Sequence, residues 1–186
     1  MLTVRMTARR VLEVACGHGR WTRYVARVAS YLLATDNSPR MLAQAAELVH
    51  HNNPLPLGRV ELREWDAMNL SALLEKFDAV FHVNFFDHLP RLMQQSFLDG
   101  LHSRLSSGSP VVMAVNKLRD STRQRLFSKP GSDDMFLRRQ RPDGSTYEII
   151  DNEMGEAELI GLVGSRGTDF SFTHGKSHSW LAYTAA

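Results

Sequence analysis

Two glycines one residue apart, Gly17 and Gly19, end the run Glu13-Val14-Ala15-Cys16. Lacking Cβ atoms, they let a ligand come up against the main chain. Where such a turn follows a strand and opens a helix, its unpaired N–H groups suit a nucleotide-like ligand. Asp36 ends a second apolar run and can accept hydrogen bonds from two ribose hydroxyls. Asp66 with Ala67 ends a third, offering an acceptor for an exocyclic amine and an N–H for a ring nitrogen. Singly each is ordinary, since Gly-x-Gly is commonly a plain turn and an Asp after a strand is commonly a helix cap. At the carboxyl ends of three successive strands, where open α/β sheets bind ligands, they outline an adenosine site.

Strands must hold these residues, and the patterning supplies them. Arg10 to Cys16 reads as a buried strand. Trp21, Tyr24, Val25 and Val28 have helical spacing, so a helix is expected over Arg20 to Val28. Tyr31 to Thr35 is a second strand, and Ser38 with Pro39 starts a helix running to His51. Val60 to Trp65 alternates like a strand, with a short helix expected from Ser71. Phe77 to Val83 and Pro110 to Val115 are further apolar strands around an amphipathic helix, Pro90 to Leu105. Strict alternation of this kind makes an α/β fold with a doubly wound parallel sheet. Beyond Asn116 the alternation stops. The segment 117–152 reads as a polar, basic insertion, with a hairpin around Pro142-Asp143-Gly144. A helix over Glu156 to Val163 follows, then an antiparallel hairpin of Asp169 to Thr173 and Ser179 to Tyr183. The expectation is one domain over 1–186, its sheet of about seven strands mostly parallel with an antiparallel C-terminal hairpin.

Composition narrows the classes. The chain has 186 residues, 43% hydrophobic and 23% charged, with too few Gly and Pro (12 and 7) for a disordered or fibrous protein. Its 22 basic and 20 acidic residues nearly cancel, which does not mark a strong binder of nucleic acid or of anionic membranes. One cysteine allows no internal disulfide, so a reducing compartment, the cytoplasm, is expected. No apolar run nears the roughly 20 residues of a spanning helix. His50-His51 and the His174, His178 pair have no neighbouring cysteine, and no metal is expected there.

The order Val11-Leu12-Glu13-Val14-Ala15-Cys16-Gly17-His18-Gly19-Arg20-Trp21-Thr22, then Ala34-Thr35-Asp36-Asn37-Ser38-Pro39, Asp66-Ala67 and Phe77-Asp78-Ala79-Val80 resembles the class I S-adenosylmethionine-dependent methyltransferases, a Rossmann-like family. His88-Leu89-Pro90, the stretch Phe97 to Leu105 and Asp143-Gly144-Ser145-Thr146-Tyr147 are similar to a bacterial subgroup of small methyltransferases. The resemblance implies S-adenosyl-L-methionine as cofactor, with Ala15, Gly17 and Gly19 under its methionine part and ribose. It implies that Glu13 supports the loop or reaches the amino group through water, and that Asp36 holds the ribose. Met41 would cover one adenine face, Asp66 with Ala67 would read the adenine edge, and His82 with Val83 would line the methionine end. His88 is the implied catalytic base, needed only if the acceptor carries a proton at neutral pH; orienting the cofactor from a helix entry is its other reading. Two departures stand out: Ala15 where many relatives have glycine, and His18 in place of a small residue, where it either crowds the pocket or points to solvent. The family usually has one or more helices before the first strand. The segment Met1 to Arg9 is too short for that, so the expectation is a longer natural chain, or a homo-oligomer whose second copy covers this face.

Phe85, Phe86 and Trp21 are candidates to wall an acceptor pocket, with core packing their commoner use. Asn84-Phe85-Phe86 lacks the double proline of methyltransferases acting on adenine or cytosine, which favours a small-molecule acceptor over nucleic acid. Between Lys117 and Arg141 basic residues outnumber acidic ones, and a solvated flap is preferred to an RNA surface. Asp87 either orients His88 or caps the helix at Pro90, with capping preferred. Cys16 stands near a helix start that would lower its pKa, but has no partner base for nucleophilic work. Two other functions fit the sheet. A nicotinamide-dependent oxidoreductase would need a small residue where Thr22 stands. A non-catalytic S-adenosylmethionine-binding module would bind without turnover.

Overall fold

The computed structural model describes residues 2–51 and 59–186; of His50 and His51, expected to hold no metal, the side chains lie outside the described residues. In chain order the elements are α1 (Leu2–Met6), β1 (Arg10–Val14), α2 (Thr22–Val25), β2 (Tyr31–Asp36), α3 (Pro39–His51), β3 (Val60–Glu64), β4 (Ala79–Val83), α4 (Arg91–His102) and β5 (Pro110–Asn116). Then come α5 (Asp120–Arg123), β6 (Leu126–Ser128), β7 (Met135–Gln140), β8 (Thr146–Ile150), α6 (Glu156–Val163), β9 (Gly167–His174) and β10 (His178–Ala185).

Continuous apolar runs such as Val111 to Val115 cannot leave either face in water, so the strands they form must be covered twice. Seven strands make one sheet in the order β3-β2-β1-β4-β5-β10-β9. β3 to β5 are parallel, and β10 is antiparallel to both β5 and β9. The fold expected from the alternation is the fold observed. On one face Leu12, Val14, Val80 and Met113 pack with Phe97, Leu98 and Leu101 of α4 and Leu159 of α6. On the other, Val11, Leu32, Phe81 and Val112 pack with Leu2 and Met6 of α1, with Val25 of α2 and with Ala26 just after it. The strand order reverses direction between β1 and β4, which places the ligand crevice of such a sheet at their carboxyl ends.

Local departures from the sequence reading have physical causes. The helix expected over Arg20 to Val28 is a single turn, α2, because Trp21, Thr22, Tyr24, Val25 and Val28 are all poor helix formers. No helix starts at Ser71; a 3-10 segment spans Ala67–Ala72, begun by Asp66, whose side chain accepts from Met68 N–H at 2.8 Å, and ended by extended Leu73. The segment before Arg10, expected to be too short for a covering helix, does form one, α1, because Leu2 and Met6 are buried against β1 and β4. The segment 117–152 contains a separate antiparallel sheet, β6-β7-β8. Its Asp143-Gly144 turn is closed by Ser145 N–H donating to Asp143 Oδ1 at 2.9 Å. Among the described residues no helix is long and apolar enough to cross a membrane.

Candidate functional site at the strand ends

After β1 the main chain turns by three left-handed residues, Ala15 (φ 54°), Gly17 (φ 56°) and Gly19 (φ 81°). Asp36, leaving β2, ties this turn to the start of α3: Gly17 N–H donates to its Oδ2 at 2.8 Å and Ser38 N–H to its Oδ1 at 3.0 Å. The carboxylate therefore faces the turn, and each oxygen keeps a further lone pair. The two glycines differ in surroundings. A Cβ on Gly17 would meet nothing within 4 Å, whereas one on Gly19 would lie 3.0 Å from Ala45 Cα and Cβ. Gly17 thus presents an open backbone face, and Gly19 lets α3 lean on the turn. His18 is exposed, so it points to solvent and does not crowd the crevice. Met41, half-buried in the first turn of α3, donates its N–H to Ser38 Oγ at 3.4 Å.

Glu13 lies beneath the turn, 2% exposed. Burial pushes its carboxyl up to about 8, against the opposing effect of the Thr22 hydroxyl and with the Asp36 charge adding to it. Thr22 sits beside it without a well-formed hydrogen bond, and Glu13 Oε2 has no partner among the described residues. At neutral pH Glu13 is mostly protonated. The Cys16 thiol is not lowered as a helix start would make it; burial, then Glu13 and Asp36, raise it.

Asp66 is exposed at the end of β3 and lines a groove with Asn37, Glu64, Trp65 and Asn69. One oxygen is used on Met68 N–H, and Ala67 is half-buried beside it. His82 sits elsewhere than at a pocket wall. Its ring is fully buried between Phe85, Phe86 and Phe97, with neither nitrogen hydrogen-bonded among the described residues, and burial lowers it to about 3. It is a neutral core residue. Val83, next in β4, points to the opposite face and packs with the α1 side.

Beyond β4 a polar cluster forms that the sequence showed only in pieces. His88 Nδ1 is 2.6 Å from the Ile150 carbonyl, and its Nε2 is 3.3 Å from Asn116 Nδ2. Asp87 does not cap α4. It is fully buried and accepts Asn116 N–H on Oδ2 at 2.9 Å, while Arg91 N–H at the start of α4 donates to Asp134 Oδ1 at 2.8 Å. Asn152 pins the insertion, accepting from Met135 N–H and donating to Leu89 O and Asp134 Oδ1. Asp151 completes the group, and burial raises its carboxyl. Asp134, Asp151 and Asn152 lie far along the chain in a polar stretch, so only the His88 and Asp87 pair carried a signal.

A cavity of about 540 Å³ opens beside the glycine turn. Trp21, Tyr24 and Trp180 line it with Leu2, Arg20 and Arg23, and among the described residues no carboxylate does. Trp21 and Trp180 meet edge to face at 5.3 Å. Of the aromatics expected to wall a pocket, Trp21 does so, whereas Phe86 is buried against Phe97 in the core.

A family described as a methyltransferase domain matches residues 11–108, more than half of the chain. No curated protein matches. Among solved structures, a DhpI complex with SAH is 23% identical, covering 95% of this chain and 76% of that one, with a TM-score of 0.73. The PH0226 protein from Pyrococcus horikoshii is 17% identical over 95% and 83%, TM-score 0.76. The N-methyltransferase NodS from Bradyrhizobium japonicum, with S-adenosyl-l-homocysteine, is 15% identical over 99% and 84%, TM-score 0.66.

Proposed function

Since the chain belongs to the methyltransferase-domain family, we propose that it carries the methyl group of S-adenosylmethionine to a small-molecule acceptor seated in the cavity that Trp21, Tyr24 and Trp180 line. The observation that carries this reading is the cavity itself: it is the size of a small ligand, three of its nine lining residues are aromatic, and it begins at Arg20, the residue after Gly19. Arg20 and Arg23 in its lining, with no acid among the described lining residues, favour an acceptor that joins an apolar body to an anionic group.

The residues of the crevice fit the cofactor. Gly17 leaves its backbone face open, and Asp36 has lone pairs left for ribose hydroxyls while it fixes the turn. Asp66 has one oxygen free for an amine, with Trp65 and Met41 as apolar cover. Glu13 lies below the turn as a proton-bearing support, consistent with holding the loop. When bound, S-adenosylmethionine supplies an electrophilic methyl carbon. The chain's own task is to align the acceptor and keep water out, which can supply several kcal/mol of the barrier. His88 has both ring nitrogens engaged, and we assign it to positioning rather than to taking a proton.

Calorimetric titration tests the reading. S-adenosylhomocysteine should bind once per chain, Asp36→Ala should weaken it at least 10-fold, and NADH should not bind. A co-crystal with S-adenosylhomocysteine should leave its sulfur facing the Trp21 cavity. Absence of binding ends the proposal, and binding without turnover on a panel of aromatic and aliphatic acids favours a non-catalytic module.

A further inference from the structure

We propose that Asp87, His88 and Asp151 hold a divalent cation of the Mn²⁺ kind at the carboxyl end of β4. One carboxylate oxygen from each aspartate and one ring nitrogen of His88 lie within 4.8 Å of one another. Ligands around such a cation stand roughly 3–4.4 Å apart at bond lengths of about 2.1–2.2 Å, so closing the site needs only small side-chain shifts.

Three observations point to a ligand beyond mere clustering. Asp87 is fully buried and Asp151 is 2% exposed, and Oδ1 of each has no hydrogen-bond partner among the described residues. Buried carboxylate oxygens are not left bare without cost. The other oxygen of Asp87 is fixed by Asn116 N–H at 2.9 Å. His88 is set in the tautomer that ligation requires: a carbonyl can only accept, so Nδ1 carries the proton toward Ile150 O, leaving on Nε2 a lone pair met by the Asn116 Nδ2 amide at 3.3 Å, a contact the ion would replace. The local charge is also incomplete. Arg139 approaches Asp151 Oδ2 at 3.8 Å, and no basic side chain pairs with Asp87 among the described residues. An entry path exists, because His88 is half-buried and lines a cavity with Lys129, Phe136 and Ile150. Two carboxylates with one imidazole favour a cation that accepts mixed oxygen and nitrogen ligands over Mg²⁺. Asp87 follows β4 and Asp151 ends the insertion, so the ion would bolt the small sheet to the large one.

The test uses the full chain stripped with EDTA, without cofactor, so its outcome is independent of the methyltransferase reading. Titrated with MnCl₂ and followed by electron paramagnetic resonance, the protein should bind one ion per chain and melt at a higher temperature. Asp151→Asn and Asp87→Asn should each weaken Mn²⁺ binding by about 10-fold or more and abolish the melting shift. If one variant fails to fold, the other decides. No binding at millimolar Mn²⁺ overturns the proposal in favour of a proton shared by the two aspartates. Binding that both variants leave intact overturns it too, since the ion then sits elsewhere.

Discussion

Glu13 keeps its proton at neutral pH because its carboxyl lies under the turn with almost no water, and that makes folding sensitive to pH. An unfolded Glu ionises near 4.5 and the folded one near 8, so stability is fully present below about 4.5 and falls as pH rises toward 8. At about 1.4 kcal/mol per pKa unit the loss reaches a few kcal/mol at most. Melting temperatures of the wild type and of Glu13→Gln, compared from pH 5 to 9, should show a decline for the former that the latter lacks. The glycines give a second contrast. Gly19→Ala combines left-handed strain with a 3.0 Å clash on Ala45, and should destabilise by about 2 kcal/mol or more. Gly17→Ala carries the strain alone, about 1 kcal/mol, and should chiefly weaken S-adenosylhomocysteine binding, as denaturation and calorimetry together would reveal. Asp36 and Gly17 were legible because a strand end fixes where such residues sit. His82 was not, because whether a strand residue faces a crevice or a phenylalanine cluster depends on which helix covers it, here α4.

Among the elements, α4 shows how far apart in sequence a helix and its cap can lie. Pro90 offers no side-chain cap, and Asp134 reaches from the start of β7 to accept Arg91 N–H while also taking Asn152 Nδ2. Asp134→Ala should therefore lose a cap and strand a buried amide, at about 1–3 kcal/mol by chemical denaturation, and Asp134→Asn should recover part of it. Elements with strong patterning were read to within a residue or two: α3 and α6 from periodicity and start signals, and β1, β2 and β5 from apolar runs. Short ones escaped. α1, α5 and β6 span five residues or fewer, and their order comes from burial and pairing partners elsewhere in the chain, as with Leu2 and Met6 on the sheet.

For the molecule as a whole, the sheet was legible because alternation and right-handed crossovers leave few topologies. The position of the small sheet against it was not, since Asn152, Asp134 and Asp87 give no periodic signal. Burial is also uneven: β1, β4 and β5 are covered on both faces, whereas β7 and β8 are largely exposed. Amide hydrogen exchange should be slowest in those three central strands and faster by orders of magnitude in β7 and β8; uniform protection would contradict this ranking. Finally, the three indoles are divided between the two ends of the crevice, Trp65 beside Asp66 and the Trp21 and Trp180 pair around the cavity. The protein thus carries its own chromophores at both ends, so emission recorded after Trp65→Phe or Trp180→Phe would tell which end a molecule has filled, without any added label.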